Sequence, residues 1–240
     1  MPLERIDKLL TGAGLCSRRD AVRGVKAGWV TLDGEICRDA AKKVDPQTCR
    51  LTWKGEPVQT GRVYLMLNKP AGVLSARQDA EQKTVLDLLP KRFLDMGLFP
   101  VGRLDKDTVG LLLLTTDGVF AHGLTSPRRH VDKVYRAEAE GVLDERDIQA
   151  FAEGLTLRDG TKCRPAKLEI LSAEAGKTTV LVTVQEGKYH QVRRMLASRG
   201  CPVTYLRREA EGGLMLGDLP SGQTKELNIV EAEGLLQNIL

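Results

Sequence analysis

Two acidic residues, Asp105 and Asp107, lie one residue apart in GRLDKDTVGLLLLTTDG, just before four consecutive leucines. The leucines predict a buried strand, so the two carboxylates stand beside a rigid apolar wall. A carboxylate in such a place can be a turn residue, a metal ligand, one half of an acid–base pair or a single nucleophile. The spacing alone favours the turn residue, and the other three interpretations stay open.

A calcium loop fits this stretch only in part. Asp105, Asp107 and Gly110 occupy its first, third and sixth positions, but Val109 stands where the loop requires an oxygen ligand and Thr116 where it requires a bidentate glutamate. A metal-dependent transferase would also use an Asp-x-Asp pair, but no glycine-rich phosphate cradle accompanies it. We therefore expect no metal site here.

Cationic residues cluster at three places in the second half of the chain. The clusters are EGKYHQVRRMLASRG at residues 186–200, with Lys188, Arg193, Arg194 and Arg199, then SPRRHVDKVYR at residues 126–136, and the pair Arg207-Arg208. Three basic patches suit a phosphate backbone, although each alone can be a solvated face. Aromatic residues make up only 4% of the chain, which argues against a platform that stacks many bases.

The composition is that of a globular protein with a core, since 42% of the 240 residues are hydrophobic and 28% are charged. The five cysteines are odd in number and form no CxxC pair, so neither a disulfide framework nor a zinc site is indicated. A reducing cytoplasm fits best, and we expect no signal peptide and no membrane segment.

The amino-terminal elements predict a small basic unit of two helices and a hairpin. LERIDKLL, residues 3–10, has the spacing of a short helix; Ser17 can cap a second helix, and Asp33-Gly34 can join two short strands. Residues 1–60 hold eleven Lys or Arg against eight Asp or Glu, a net charge of +3 out of the chain's +4. We expect this unit to bind a polyanion.

A larger body follows a linker-like stretch at residues 57–61. Its predicted strands and helices alternate without a regular βα period: strands at 135–140, 167–172 and 178–185, and helices at 144–153 and 190–199. The fold class is therefore α+β, with a helix-helix-hairpin domain at residues 1–59 and a mixed, mainly antiparallel domain at residues 60–240.

Three segments, taken together, resemble the catalytic motifs of the pseudouridine synthases: GRLDKDTVGLLLLTTDG, KVYR and GKYHQVRRM. NKPAG, TSPRR and GGLMLGDLPSG resemble further segments of the RsuA-like branch, which modifies ribosomal RNA. The amino-terminal unit resembles the RNA-binding module of a small-subunit ribosomal protein. Within the branch, GKYHQVRRM is more similar to the small-subunit enzyme than to its large-subunit relatives.

The resemblance implies that a uridine already in RNA is isomerised to pseudouridine, without a redox cofactor. Asp105 would be the essential carboxylate, as nucleophile or as base at the sugar, and Lys188 would lie against it and keep it ionised. Tyr135 would stack on the uracil with Val192 behind the ring, and Arg103 would help to extrude the nucleotide.

The remaining expectations concern RNA contacts and partners. Asp107 would be structural, and the residues expected to contact RNA are Arg193, Arg194, Arg18, Arg19 and Arg23. The expected partner of this monomer is ribosomal RNA, either small-subunit RNA or an assembling ribosomal particle. A large-subunit enzyme and a non-catalytic assembly factor are the alternatives.

Overall fold

The structure is a computed structural model that describes residues 3–46, 48–58, 60–94 and 96–237. The chain divides into two compact units, the first formed by Met1–Val63 with Leu89–Leu98 and the second by Tyr64–Leu88 with Phe99–Leu240.

The first unit packs two helices against short strands. The helices are α1 (Ile6–Gly12) and α2 (Arg18–Lys26); the strands are β1 (Glu4–Arg5), β2 (Val30–Leu32), β3 (Glu35–Ile36), β4 (Lys43–Val44), β5 (Leu51–Trp53) and β6 (Glu56–Pro57). The Ser17 side chain accepts the backbone N–H of Asp20 and caps α2 as predicted. Asp33 and Gly34, both with positive φ, join β2 to β3 in the predicted hairpin.

The prediction of a helix from residue 3 is wrong at its first turn. Glu4 and Arg5 pair with β4, and the backbone N–H of Ile6 donates to the carbonyl of Lys42. Leu3 is consequently 57% exposed and lies outside the core. The helical spacing is real, but pairing with a distant strand takes the first residues away from the helix.

The second unit is built on one sheet. Its strands are β7 (Tyr64–Lys69), β8 (Phe99–Pro100), β9 (Val109–Thr115), β10 (Lys133–Glu140), β11 (Lys167–Glu174), β12 (Lys177–Val184), β13 (Val203–Glu211), β14 (Leu214–Met215) and β15 (Thr224–Glu226). The order is β11-β12-β10-β13-β9-β7-β15, with β14 on β13 and β8 on β9. The pairing of β9 with β13 is parallel, and the other pairings described in this sheet are antiparallel.

The helices of this unit are α3 (Gly118–Thr125), α4 (Glu145–Glu153), α5 (Gln191–Ser198) and α6 (Ile229–Gln237), with a 3₁₀ turn at Val85–Leu88. One apolar cluster joins α4 and α5 to β10–β12, and a second joins α3 and α6 to β7 and β9. The four leucines of β9 are buried on both faces of its strand, as the wall predicted beside Asp105 requires. The predicted α+β fold class is confirmed. Among the described residues, no helix combines the length and the apolar character needed to span a membrane.

Candidate active site

The loop that carries Asp105 is held in place by the segment NKPAG, residues 68–72. Lys69, at the end of β7, is fully buried, and its Nζ donates to the carbonyls of Pro70, Lys106 and Thr108 at 3.0 to 3.1 Å. The backbone N–H of Gly72 donates to the same Lys106 carbonyl at 2.8 Å. The loop is therefore anchored on the carboxyl-terminal side of Asp105.

A second anchor lies on the amino-terminal side of Asp105. The hydroxyl of Ser75 donates to the carbonyl of Leu104 at 2.8 Å and accepts the backbone N–H of the same residue at 3.0 Å. Burial lowers the pKa of Lys69 to about 8, while Asp107 and Asp105 oppose that shift. The resemblance included NKPAG without giving Lys69 a role, because a lysine in a sequence is normally read as a surface residue.

A small cavity of about 70 Å³ opens at this loop. Its polar lining contains Arg103, Asp105, Tyr135, Lys188 and His190, and its apolar lining contains Leu104, Val184, Val192 and Leu206. The segments predicted to carry chemistry, which lie far apart in the chain, thus meet at one place. A larger cavity exists in the same unit, but this smaller one holds the converging charged groups that chemistry requires.

The partner of Asp105 differs from the expected one. His190 Nε2 lies 3.5 Å from Asp105 Oδ1, with the two side chains 37% and 32% exposed. The ammonium of Lys188 instead pairs with Glu186 at 2.7 Å and donates to the carbonyl of Lys162 at 2.5 Å. Lys188 lines the cavity, but the predicted ion pair with Asp105 is not present, because Glu186 lies two residues away on the same segment.

Glu186 is held ionised by its neighbours. Burial by itself would raise the pKa of this carboxyl, but hydrogen bonds from Lys188, the backbone N–H of Arg164 and Gln191 outweigh it and lower the pKa. His190 immediately precedes α5, with its backbone in the left-handed region at φ 49°, and its ring lies near the Asp105 loop. No signal in the sequence identified His190 as a neighbour of Asp105, although His190 lies only two positions after Lys188.

Tyr135 stands on β10 opposite Arg208 of β13, at a bulge in the pairing of the two strands. Burial raises the pKa of its phenol, and the nearby guanidinium of Arg208 opposes the rise only in part. Arg208 is 2% exposed, pairs with Glu211 at 3.1 Å and donates to the carbonyl of Leu111 at 2.7 Å. Tyr135 therefore presents a protonated hydroxyl above a buried ion pair.

The arginines of α5 are engaged in ion pairs within the protein. Arg193 pairs with Asp107 at 2.9 Å and so ties α5 to the loop that carries Asp105, while Arg194 pairs with Asp159 at 2.5 Å. Arg193 is only 18% exposed, and Arg194 lies on the wall of a different cavity. Val192 is 4% exposed and packs in the same apolar cluster as Tyr135.

The three arginines expected to contact RNA from the first unit lie on α2. Arg18 and Arg23 are 72% and 73% exposed and pair with Asp7 and Asp20, respectively, while Arg19 is also exposed. Ala21 and Val25 on the same helix are fully buried, so the cations occupy its outer face. Among the described residues, no group of three or more His, Cys, Asp or Glu side chains is arranged to hold a metal ion.

Comparison with known proteins gives two family matches. Residues 63–198 match the family described as "RNA pseudouridylate synthase", and residues 4–48 match the family described as "S4 domain". The chain is 44% identical over 225 residues to "Uncharacterized RNA pseudouridine synthase YtzG" of Bacillus subtilis (strain 168), which covers 93% of this chain and 94% of that protein.

Two further relatives have names that refer to different ribosomal subunits. "Ribosomal small subunit pseudouridine synthase A" of Escherichia coli (strain K12) is 40% identical over 229 residues, covering 93% of this chain and 96% of that protein. "Ribosomal large subunit pseudouridine synthase B" of Bacillus subtilis (strain 168) is 37% identical over 240 residues, covering 97% and 96%. The similarity extends over both units of the chain.

Proposed function

Since the chain belongs to the RNA pseudouridylate synthase family and is an intramolecular isomerase, we propose that its substrate is a uridine of ribosomal RNA. Within the nucleotide, the bond from N1 of uracil to C1′ of ribose breaks, and a bond from C5 to C1′ forms. N1 gains a proton and C5 loses one, so no electrons are exchanged with a cofactor.

The observation that carries the proposed assignment of roles is the convergence of Asp105, Tyr135, Lys188 and His190 on one cavity. We assign Asp105 the attack on the ribose or the removal of its proton, since this carboxylate is fixed by its loop and remains partly open to the cavity. We assign Tyr135 and Val192 the surface on which the uracil turns, and the Tyr135 hydroxyl a part in the removal of the proton from C5.

Lys188 and Arg103 act through their positive charges in this scheme. Lys188 balances the negative charge of Glu186 and, through it, sets the field at Asp105, while exposed Arg103 binds a phosphate of the extruded nucleotide. The cations of the S4 domain, Arg18, Arg19 and Arg23, hold the RNA backbone and supply affinity rather than chemistry.

We propose small-subunit 16S RNA as the target. The segment GKYHQVRRM supports this choice. A uridine of large-subunit RNA is the second candidate, and a non-catalytic assembly factor is the third. We further propose that the protein works as a monomer in the cytoplasm on naked RNA or on an assembling ribosomal particle.

The test is a map of pseudouridines in ribosomal RNA from cells with and without the protein. One site is expected to disappear from 16S RNA and to return when the natural chain is restored. Asp105→Asn keeps the size of the side chain but removes its charge, so it should fail to restore the site while binding RNA normally. Asp107→Asn, its matched control, should restore most of the modification; a site lost from large-subunit RNA would overturn the choice of subunit.

A further inference from the structure

A second and larger cavity of about 660 Å³ lies beside the proposed active site. One side is the tight turn Leu157–Gly160, closed by a hydrogen bond from the backbone N–H of Gly160 to the carbonyl of Leu157. The other side is the carboxyl-terminal end of α5 with Pro202, and Tyr189 completes the lining. Its volume falls within the range of pockets that hold small organic ligands.

Tyr189 gives this cavity an exposed aromatic ring. Of the chain's four tyrosines, Tyr189 is 75% exposed, against 38% for Tyr205 and 4% for Tyr64, and Tyr135 is partly buried. The Tyr189 ring stacks on the ring of His190, with centroids 3.9 Å apart and planes 15° apart. An aromatic ring whose orientation is fixed by stacking and which is largely exposed to solvent can stack with another planar ring.

Two arginines line the same cavity. Arg194 is held rigidly: its guanidinium pairs with Asp159 at 2.5 Å and donates to the carbonyl of Tyr189 at 3.3 Å. Arg158 is exposed, and within the described part of the chain it forms no ion pair. The cavity therefore combines a planar apolar surface with a cation available to an anion, which is the chemistry of a nucleotide site.

The Tyr189–His190 stack also links this cavity to Asp105 in the proposed active site. His190 contacts Tyr189 through its ring face and Asp105 through Nε2 at 3.5 Å. A base stacked on Tyr189 would thus be separated from the Asp105 carboxylate by two rings, those of Tyr189 and His190. We take this separation to suit the next nucleotide along an RNA strand.

We propose that this cavity binds the nucleotide adjacent to the target uridine, with its base unstacked from the RNA and placed on Tyr189 and its phosphate bound by Arg158. The inference rests on the proposed function, because it requires an RNA strand to enter the neighbouring active site. It gives the enzyme a contact with sequence context beyond the uridine itself, and it assigns Tyr189 to binding rather than to chemistry.

The experiment uses the full chain and a uridine-centred RNA oligonucleotide selected because the natural protein binds it. 2-Aminopurine replaces the nucleotide on each side of the uridine in turn, because its fluorescence is quenched when it stacks. The variants are Tyr189→Ala and Tyr189→Phe, which removes only the hydroxyl, and Tyr205→Ala serves as the control at another exposed tyrosine. Binding is followed by the quenching, and turnover by pseudouridine formed in the unlabelled RNA.

Quenching is expected at one of the two flanking positions with the natural chain, Tyr189→Phe and Tyr205→Ala, but not with Tyr189→Ala. RNA affinity should fall about 5- to 100-fold in Tyr189→Ala, as loss of one stacked base predicts. That loss should disappear when the flanking base is replaced by an abasic residue. An identical fluorescence change in Tyr189→Ala and the natural chain at both positions would overturn the inference.

The two proposals fail in different ways in this design. Normal pseudouridine formation with quenching that does not depend on Tyr189 would remove the nucleotide site and leave the proposed function intact. Quenching that depends on Tyr189, without pseudouridine formation by the natural chain in any ribosomal RNA, would leave the nucleotide site and remove the proposed function.

Discussion

At the proposed active site, Asp105 and Lys188 do not form an ion pair with each other, and each contacts a different side chain. Asp105 contacts His190, whereas Lys188 contacts Glu186, and His190 and Lys188 both lie on the segment that leads into α5. Replacing Lys188 therefore has two consequences: it removes a positive charge from the cavity and leaves the mostly buried Glu186 without its ion partner.

Lys188→Met should lower kcat much more than Arg199→Met, by about 100-fold in comparison with the natural chain. Arg199 is the matched control, since it also forms a short ion pair, with Asp147 at 2.6 Å, but does not line the cavity. Single-turnover rates at saturating RNA measure the difference. Equal and small losses in the two variants would show that Lys188 is an ordinary RNA contact.

At the scale of elements, the end of β7 supports the Asp105 loop through Lys69. Lys69→Met leaves three carbonyls without this donor, and an unsatisfied buried polar group costs about 1–3 kcal/mol. We expect a lower free energy of unfolding and at least a tenfold lower kcat, with RNA affinity little changed. Lys106→Met is the control, because its ammonium is exposed and contacts only Gln82 among the described side chains.

The pH dependence of this effect has a definite sign. The pKa of Lys69 falls from 10.5 to about 8 in the folded chain, so between these values the unfolded chain binds more protons and folding becomes more favourable as pH rises. The gap in unfolding free energy between the natural chain and Lys69→Met should therefore widen from pH 8 to pH 10, by about 2 kcal/mol. Urea denaturation at both pH values measures it, and a constant gap would contradict the shifted pKa.

The parallel pairing of β9 with β13 depends on Gly110. Its φ is +102°, and an added Cβ would lie 2.8 Å from the backbone nitrogen of Arg208 and closer still to its carbonyl oxygen. Gly110→Ala should reduce the free energy of unfolding by about 3 kcal/mol or more, because backbone atoms of a sheet cannot move aside. Gly118→Ala at the start of α3 meets no atom within 4 Å and should stabilise the chain by about 0.5 kcal/mol. Similar unfolding midpoints for the two variants would refute this account.

These elements also show what the sequence could and could not predict. The capping of α2 by Ser17, the Asp33-Gly34 hairpin and the buried leucine strand follow from local patterns, and the structure confirms all three. The parallel β9–β13 pairing joins residues 98 positions apart (Arg207 − Val109), and the contact of His190 with Asp105 joins residues 85 positions apart (190 − 105), so no local spacing encodes them. Lys69 was missed because burial of a lysine depends on carbonyls supplied by a distant loop.

For the whole molecule, the division of charge separates binding from chemistry. Residues 1–60 carry a net charge of +3 and the remaining 180 residues only +1, and the cations of α2 lie on its exposed face. The groups that converge on the cavity with Asp105 all belong to the second unit. Changes on α2 should therefore alter RNA affinity, and changes at the cavity should alter turnover.

The combined change of Arg18, Arg19 and Arg23 to Gln should weaken RNA binding and flatten its dependence on salt. Each lost phosphate contact lowers the slope of log affinity against log salt by about 0.7 to 0.9, so the triple change should lower it by about 2. Turnover at saturating RNA should stay unchanged, because we assign these residues to holding the strand and not to acting on the nucleotide. The control changes Arg146, Lys167 and Lys177 to Gln, which removes the same charge from exposed positions that line neither cavity. Its slope should match that of the natural chain.

Titrations over roughly 50 to 300 mM salt measure the slopes. An unchanged slope in the α2 variant would mean that this helix is not the electrostatic anchor, and a loss of turnover at saturating RNA would mean that the S4 domain also helps to shape the active site.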